Sequence, residues 1–184
     1  TGDVLVPPAV VPGAGQIRES NTLHLAALAA RAGAEVTTIE LVRDDVRSLE
    51  AAFARALSGN DLVMTTGGVS MGKYDLVAQA FVALGVREVF HKVAIKPGKP
   101  LWFGVHERGA QSVLVFGLPG NPVSCLLDHE VFVRPALAKL ENAPAREYAE
   151  RLRVGRWLGA STPENTRQQN NPVGIVQGSD GVDR

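Results

Sequence analysis

The stretch Asp61-Leu62-Val63-Met64-Thr65-Thr66-Gly67-Gly68-Val69-Ser70-Met71-Gly72-Lys73-Tyr74-Asp75 decides the fold class. Residues 61–65 read as a continuous apolar run, the signature of a strand buried on both faces. The run passes directly into a glycine-rich turn. Beyond it, Leu76, Val77, Ala80, Phe81 and Leu84 recur at helical spacing, with Asp75 placed to cap the helix and Gly85 to end it. Strand, glycine loop and helix form the unit from which parallel α/β sheets are built.

The pattern repeats on both sides. Upstream, a short apolar run from Asp3 to Val6 stops at Pro7-Pro8, and Pro12-Gly13-Ala14-Gly15 reads as a loop. Ser20 or Asn21 can cap a first helix whose apolar face is Leu23, Ala26, Ala27 and Ala30. Glu35 to Val42 is β-branched and short, which predicts a strand, and Asp44-Asp45 caps a second helix through Val46, Leu49, Phe53, Ala56 and Leu57. Downstream, residues 88–95, 101–105 and 113–116 read as strands. The last enters Gly117-Leu118-Pro119-Gly120-Asn121-Pro122, with Asn121 as N-cap and Pro122 as first residue of a helix reaching roughly Leu140. The expected fold is a three-layer α/β domain over residues 1–142 with a mainly parallel sheet. It is followed by a truncated β-rich segment over residues 146–184, in which 151–157 reads as a strand.

Composition narrows the function classes. The chain of 184 residues carries 19 Lys+Arg against 19 Asp+Glu, a net charge of +0 that disfavours a nucleic-acid binder. Its 45% hydrophobic content calls for a folded core. No apolar run is long enough to cross a bilayer and the first residues do not resemble a signal peptide, so a soluble, intracellular protein without membrane or nucleic-acid partners is expected. The start without Met and the polar finish at Gly181-Val182-Asp183-Arg184 lead us to expect a piece of a longer polypeptide. Cys125 is the one cysteine, and it makes no zinc-ligand spacing with His24, His91, His106 or His129.

Three segments can carry chemistry. The loop at 65–75 offers backbone N–H groups and a helix start to an anion. Gly67 and Gly72-Lys73 fit part of a P-loop, but Tyr74 stands where that motif needs Ser or Thr for magnesium. Residues 117–124 repeat the design of glycine turn, N-cap and helix start. Between them, Lys92, Lys96 and Lys99 lie in Lys92-Val93-Ala94-Ile95-Lys96-Pro97-Gly98-Lys99-Pro100, where Pro-Gly forces a turn that lets ammonium groups converge on one anion. Together they describe an anion-binding crevice with Asp75 in its wall. Taken singly, each segment is also explained by an ordinary turn. Glu19 is a further potential ligand, Cys125 and His129 read as core and flank, and Trp102 and Trp157 read as packing.

Thr65-Thr66-Gly67-Gly68-Val69-Ser70-Met71-Gly72, Lys96-Pro97-Gly98-Lys99-Pro100 and Gly117-Leu118-Pro119-Gly120-Asn121-Pro122-Val123-Ser124, in that order, resemble the molybdopterin molybdenumtransferase family. Thr1-Gly2-Asp3 and Ile17-Arg18-Glu19-Ser20-Asn21 are similar to that family's opening motifs. The resemblance is close over residues 1–140 and loose beyond. It implies a magnesium-dependent, cytoplasmic, usually homodimeric enzyme that hydrolyses adenylylated molybdopterin, releases AMP and inserts molybdate-derived molybdenum. It also leaves room for an adenylyltransferase as partner. Under it, Ser70, Lys96, Lys99 and Pro100 line the molybdate and phosphate crevice, Asp75 is the acidic residue needed for activity, and Ser124 is the serine of the second glycine loop. Gly67, Gly68, Gly72, Gly120, Asn121 and Pro122 shape the pterin site. Asp75 and Glu19 are the candidate Mg²⁺ ligands. Two departures stand out: Lys73 where the family commonly has an acid, and Glu19 where it has Asp. They keep open a non-catalytic pterin-binding scaffold. The related molybdopterin adenylyltransferase, which shares the first glycine loop, is a further alternative.

Overall fold

The computed structural model describes residues 4–68 and 75–144, together with the backbone of 168–169. The expected strand at 151–157 and the rest of the segment over 146–184 lie outside the described residues.

Nearly every expected element forms. In chain order these are β1 (Leu5–Val6), β2 (Ile17–Arg18), α1 (Asn21–Arg31), α2 (Val46–Gly59), β3 (Leu62–Thr66), α3 (Leu76–Ala83) and β4 (Arg87–His91). There follow β5 (Ile95–Lys96), β6 (Trp102–Arg108), β7 (Gln111–Leu118), α4 (Pro122–Asp128) and α5 (Arg134–Leu140), and a short β8 (Gln168–Gln169) pairs with β5. The helix opening at Pro122 does run to Leu140, but it widens into a π-helical turn at His129–Val133 between α4 and α5.

The main sheet has the order β3-β7-β6-β4. The α/β class holds, and the parallel arrangement holds where it matters most, in the β3/β7 pair. The sheet as a whole is mixed: β6 joins β7, and β4 joins β6, in antiparallel fashion. The reason is the short Arg108-Gly109-Ala110-Gln111 connection, in which Gly109 at φ +64° reverses the chain. No crossover helix intervenes, so an antiparallel hairpin results.

Helices cover both faces, giving the expected three layers. On one side Leu49, Phe53 and Leu57 of α2 and Val77, Ala80 and Phe81 of α3 pack on Val63, Trp102, Val113 and Val115. On the other, Leu25, Ala29, Cys125, Val133 and Leu137 pack on Leu101, Phe116 and Leu118. Alternation along β7 assigns Val113 and Val115 to the first face and Phe116 and Leu118 to the second.

Three expectations fail. The strand expected over 88–95 ends at His91, because Lys92 at φ +75° turns the chain, and only Ile95–Lys96 pairs again, as β5. The buried face of α1 is Leu25, Leu28 and Ala29, with Leu23 exposed, because that stripe is the one rotated onto α4. Residues 35–42 form no strand. Val36, Ile39 and Leu41 are exposed, and without a neighbouring ladder β-branched composition alone does not make one. The segment instead runs alongside α2, with Glu40 bound to Arg55 at 2.8 Å.

Phe81 is fully buried and stacks on Phe53 at 4.1 Å and on Trp102 at 5.5 Å between ring centroids. Phe81→Ala is expected to destabilise the domain by about 3–5 kcal/mol in chemical denaturation, the usual cost of an aromatic-sized cavity. A loss below about 1 kcal/mol would place α3 outside the cooperative core.

Candidate functional site

The parallel register Thr65↔Gly117 and Thr66↔Leu118 makes β3 and β7 end together, so both glycine loops leave from the same edge. Gly67 N–H donates to the Leu118 carbonyl at 3.1 Å, extending the pairing into the loop. Gly67 and Gly68 lie at φ +79° and +71°, in the left-handed region that favours glycine. A Cβ built on Gly120 would stand 3.5 Å from Gly67 Cα, so the two loops meet backbone to backbone. Asn21 Nδ2 donates to Gly120 O and to Thr66 Oγ1, each at 2.9 Å, tying α1 to both loops. Asn121 caps α4 by accepting from Ser124 N–H at 3.1 Å, Pro122 opens the helix, and Ser124 is buried behind it.

Asp75 caps α3, with Oδ1 accepting from Ala78 N–H at 3.0 Å. Its Oδ2 is buried without a hydrogen-bond partner among the described residues and stands 4.0 Å from His91 Nε2. Burial raises the Asp75 carboxyl above the ordinary carboxylate range, against the opposing pull of the Ala78 N–H and of His91. His91 ends β4 and leads into the lysine segment. That segment is a compact turn: Lys92 N–H donates to Leu101 O at 2.7 Å, Val93 N–H to Lys99 O at 3.0 Å and Leu101 N–H to Gly98 O at 3.3 Å. Among the described residues neither Lys96 nor Lys99 has a carboxylate within 4 Å, and Pro100 is half-buried beside them. Ser70, Gly72 and Lys73 lie outside the described residues.

Glu19 has a different employment. It is buried, and its Oε1 accepts from Thr22 N–H at 2.7 Å, so it does the capping of α1 expected of Ser20 or Asn21. It belongs to the α1 side of the sheet, whereas Asp75 belongs to the α3 side. Among the described residues no three His, Cys, Asp or Glu side chains gather to hold a metal. The donor that fits magnesium is Asp75 Oδ2, since that ion is commonly held by one or two carboxylates with substrate oxygens completing the shell. Nothing in the geometry brings Glu19 to it.

Cys125 and His129 are buried as core, as expected. Burial pushes the Cys125 thiol up to about 11, which leaves it protonated and unreactive. Asp128 carries no signal in the sequence. It is fully buried, neither oxygen has a partner among the described residues, and burial raises its carboxyl to about 8. A lone acid on a helix resembles a solvated face in sequence, and only the packing of α4 under Gly98 reveals it.

Residues 1–139 match the protein family described as "Probable molybdopterin binding domain". Over 149 residues the chain is 41% identical to "Molybdopterin molybdenumtransferase 2" of Mycobacterium tuberculosis, covering 78% of this chain and 36% of that protein. It is 43% identical over 129 residues to a molybdopterin molybdenumtransferase of Synechococcus elongatus, covering 70% of this chain and 32% of the relative. The chain thus spans about a third of the length of these curated relatives. Among solved structures, a molybdopterin biosynthesis MoeA protein from Pyrococcus horikoshii superposes with a TM-score of 0.64 at 35% identity, covering 75% of this chain and 33% of that one. "Molybdenum cofactor biosynthesis protein B" superposes with a TM-score of 0.52 at 25% identity, covering 65% and 81%.

The buried acid makes stability depend on pH. Asp128 rises from 3.8 to about 8 on folding, so between those values the unfolded chain ionises while the folded one stays protonated, and stability falls as pH rises. Asp128→Asn removes that loss. The variant is expected to match the parent near pH 4 and to exceed it at pH 7 by a few kcal/mol, on the order of the linkage energy. Parallel denaturation curves at the two pH values check this, and an equal gap at both would show that Asp128 ionises freely.

Proposed function

The chain belongs to the molybdopterin-binding domain family, on its MoeA side, and from that premise we propose that the two touching glycine loops bind adenylylated molybdopterin for molybdenum insertion with release of AMP. The observation that carries the reading is the meeting of Gly67 and Gly120 at the end of the parallel strand pair, with Lys96 and Lys99, free of carboxylate partners among the described residues, in the turn that follows His91 beside Asp75. Ligands of open α/β sheets gather at such carboxyl-end crevices.

In this reading Gly67, whose own N–H is held by Leu118 O, shapes the turn, while the backbone N–H groups of Gly68, Gly120 and Asn121, with Ser70 and Gly72, approach the phosphates of the substrate. Pro122 and Pro100 limit the crevice, and Ser124 backs its second loop. Lys96 and Lys99 offset the negative charge of molybdate and of the pyrophosphate-like linkage, which preorganised cations stabilise further as charge develops on oxygen. Hydrolysis of that linkage joins a water oxygen to phosphorus and breaks the bridging bond, so AMP leaves with one phosphate and the pterin keeps the other. With Oδ1 fixed on Ala78 N–H, Asp75 acts through Oδ2, either orienting the water or accepting its proton. Magnesium, when bound at Asp75 Oδ2, would supply charge neutralisation on the phosphate oxygens. Molybdate enters as substrate. The second unit over 146–184, a homodimer, an adenylyltransferase partner and a cytoplasmic setting complete the proposal, for which the family resemblance is the support. Among the described residues no helix is long and apolar enough to cross a membrane.

The test is molybdate-dependent release of AMP from adenylylated molybdopterin by the whole protein. Asp75→Asn keeps a capping side chain at the start of α3, so it should reduce release by about a hundredfold or more while leaving the melting temperature near that of the parent. Tight pterin binding without AMP release by the parent would favour a scaffold, and ATP consumption with unadenylylated molybdopterin would favour the adenylyltransferase. Lys96→Ala and Lys99→Ala are each expected to raise the KM by about tenfold, the weight of one hydrogen bond to a charged group. An unchanged KM in both would remove the lysines from the site.

A further inference from the structure

A buried acid lies under the lysine turn with no role in the chemistry above. Gly98 is buried at φ +113°, and a Cβ built on it would collide with Asp128 Oδ1. Asp128 in turn is sealed from solvent, and neither of its oxygens finds a hydrogen-bond donor among the described residues. Its polar neighbours along the helix, Cys125 and His129, do not bond to it. Glu130 is engaged with His129 at 3.7 Å and Arg134 at 3.0 Å. A charged carboxylate in such a place is costly, so the side chain persists as a neutral acid, consistent with a carboxyl raised to about 8. What it contributes is shape.

We propose that Asp128 is a positioning residue for the lysine turn: its carboxyl fills the space directly beneath Gly98, so that α4 fixes the height of residues 96–100 at the crevice. The two lysines flank Gly98 at positions 96 and 99, and two hydrogen bonds of the turn are accepted in the same short stretch, by Gly98 O from Leu101 N–H and by Lys99 O from Val93 N–H. A shift of Gly98 into a vacancy would carry both lysines with it. A side chain bulkier than Asp would push the turn outward, and any residue but glycine at 98 would meet the acid. The pairing couples the second glycine loop's own helix to the cationic segment, so the two parts of the crevice move as one body. The ligand half of this inference rests on the proposed function, whereas the packing half does not.

The experiment separates the two. Hydrogen exchange by mass spectrometry over residues 92–101, with molybdopterin affinity measured in parallel, is compared in the whole parent protein, Asp128→Asn and Asp128→Ala. Asn keeps the shape of the neutral acid and should keep both protection and affinity. Ala leaves a void and should speed exchange at Val93 and Leu101 by about tenfold or more, with β3 and β7 unchanged. Molybdopterin affinity should weaken in Ala alone. If Ala fails to fold, Asp128→Ser is read in the same way. Parent-like exchange in the smaller variant, or Asn behaving like Ala, would overturn the positioning role. Faster exchange with unchanged affinity would support the positioning of the turn and count against its lysines as ligand groups, a failure of the functional reading alone.

Discussion

The parallel pairing of β3 with β7 is the constraint on which the rest of the site depends. Parallel neighbours end at the same edge, and each here is followed by a glycine turn and a helix. The register from Leu62↔Leu114 to Thr66↔Leu118 brings Gly67 and Gly120 within contact of one another, although they are far apart in sequence. A one-residue slip would exchange the faces of Val63 and Val115, which are buried against α2 and α3, with those of Met64 and Phe116 on the other side. The cores on the two faces therefore hold the register, and the register holds the crevice. Asn21 adds a third anchor by bonding both loops from the start of α1.

Much of this was legible before the structure. The apolar run at 61–65, which forms β3 at Leu62–Thr66, the capping acids Asp45 and Asp75, and the Asn121-Pro122 helix start each rest on local chemistry that tertiary packing did not overrule. The misreadings share a cause, which is that local pattern does not reveal neighbours. Residues 35–42 have strand composition but lie beside α2 rather than in a ladder, and α1 could turn either of two apolar stripes inward. The antiparallel return of β6 and β7 follows from a short connection at Gly109, which a count of strands and helices does not register.

The site divides along the same line. Its motifs are local and were visible as residue patterns, whereas its supporting contacts are not. Glu19 reads as a candidate ligand in sequence, but folding directs its carboxylate to the Thr22 N–H. His91 carries no motif, and its place 4.0 Å from Asp75 arises only when β4 ends beside α3. Asp128 is the extreme case. Its surroundings come from α4 and a turn about thirty residues earlier in the chain, a juxtaposition no periodicity encodes. Such groups matter because a crevice for a multiply charged ligand needs its cations held in place before the ligand arrives, and side chains on a turn hold position only when something packs beneath it.

We propose that the two loops joined by the β3/β7 pair form one anion crevice with the lysine turn. The most direct measurement is a crystal structure of the whole protein with adenylylated molybdopterin bound. The phosphates are expected against the backbone at Gly68 and Gly120–Asn121, with Lys96 or Lys99 within hydrogen-bond distance of an oxygen. Phosphates seated elsewhere, with both loops and both lysines free of the ligand, would contradict it.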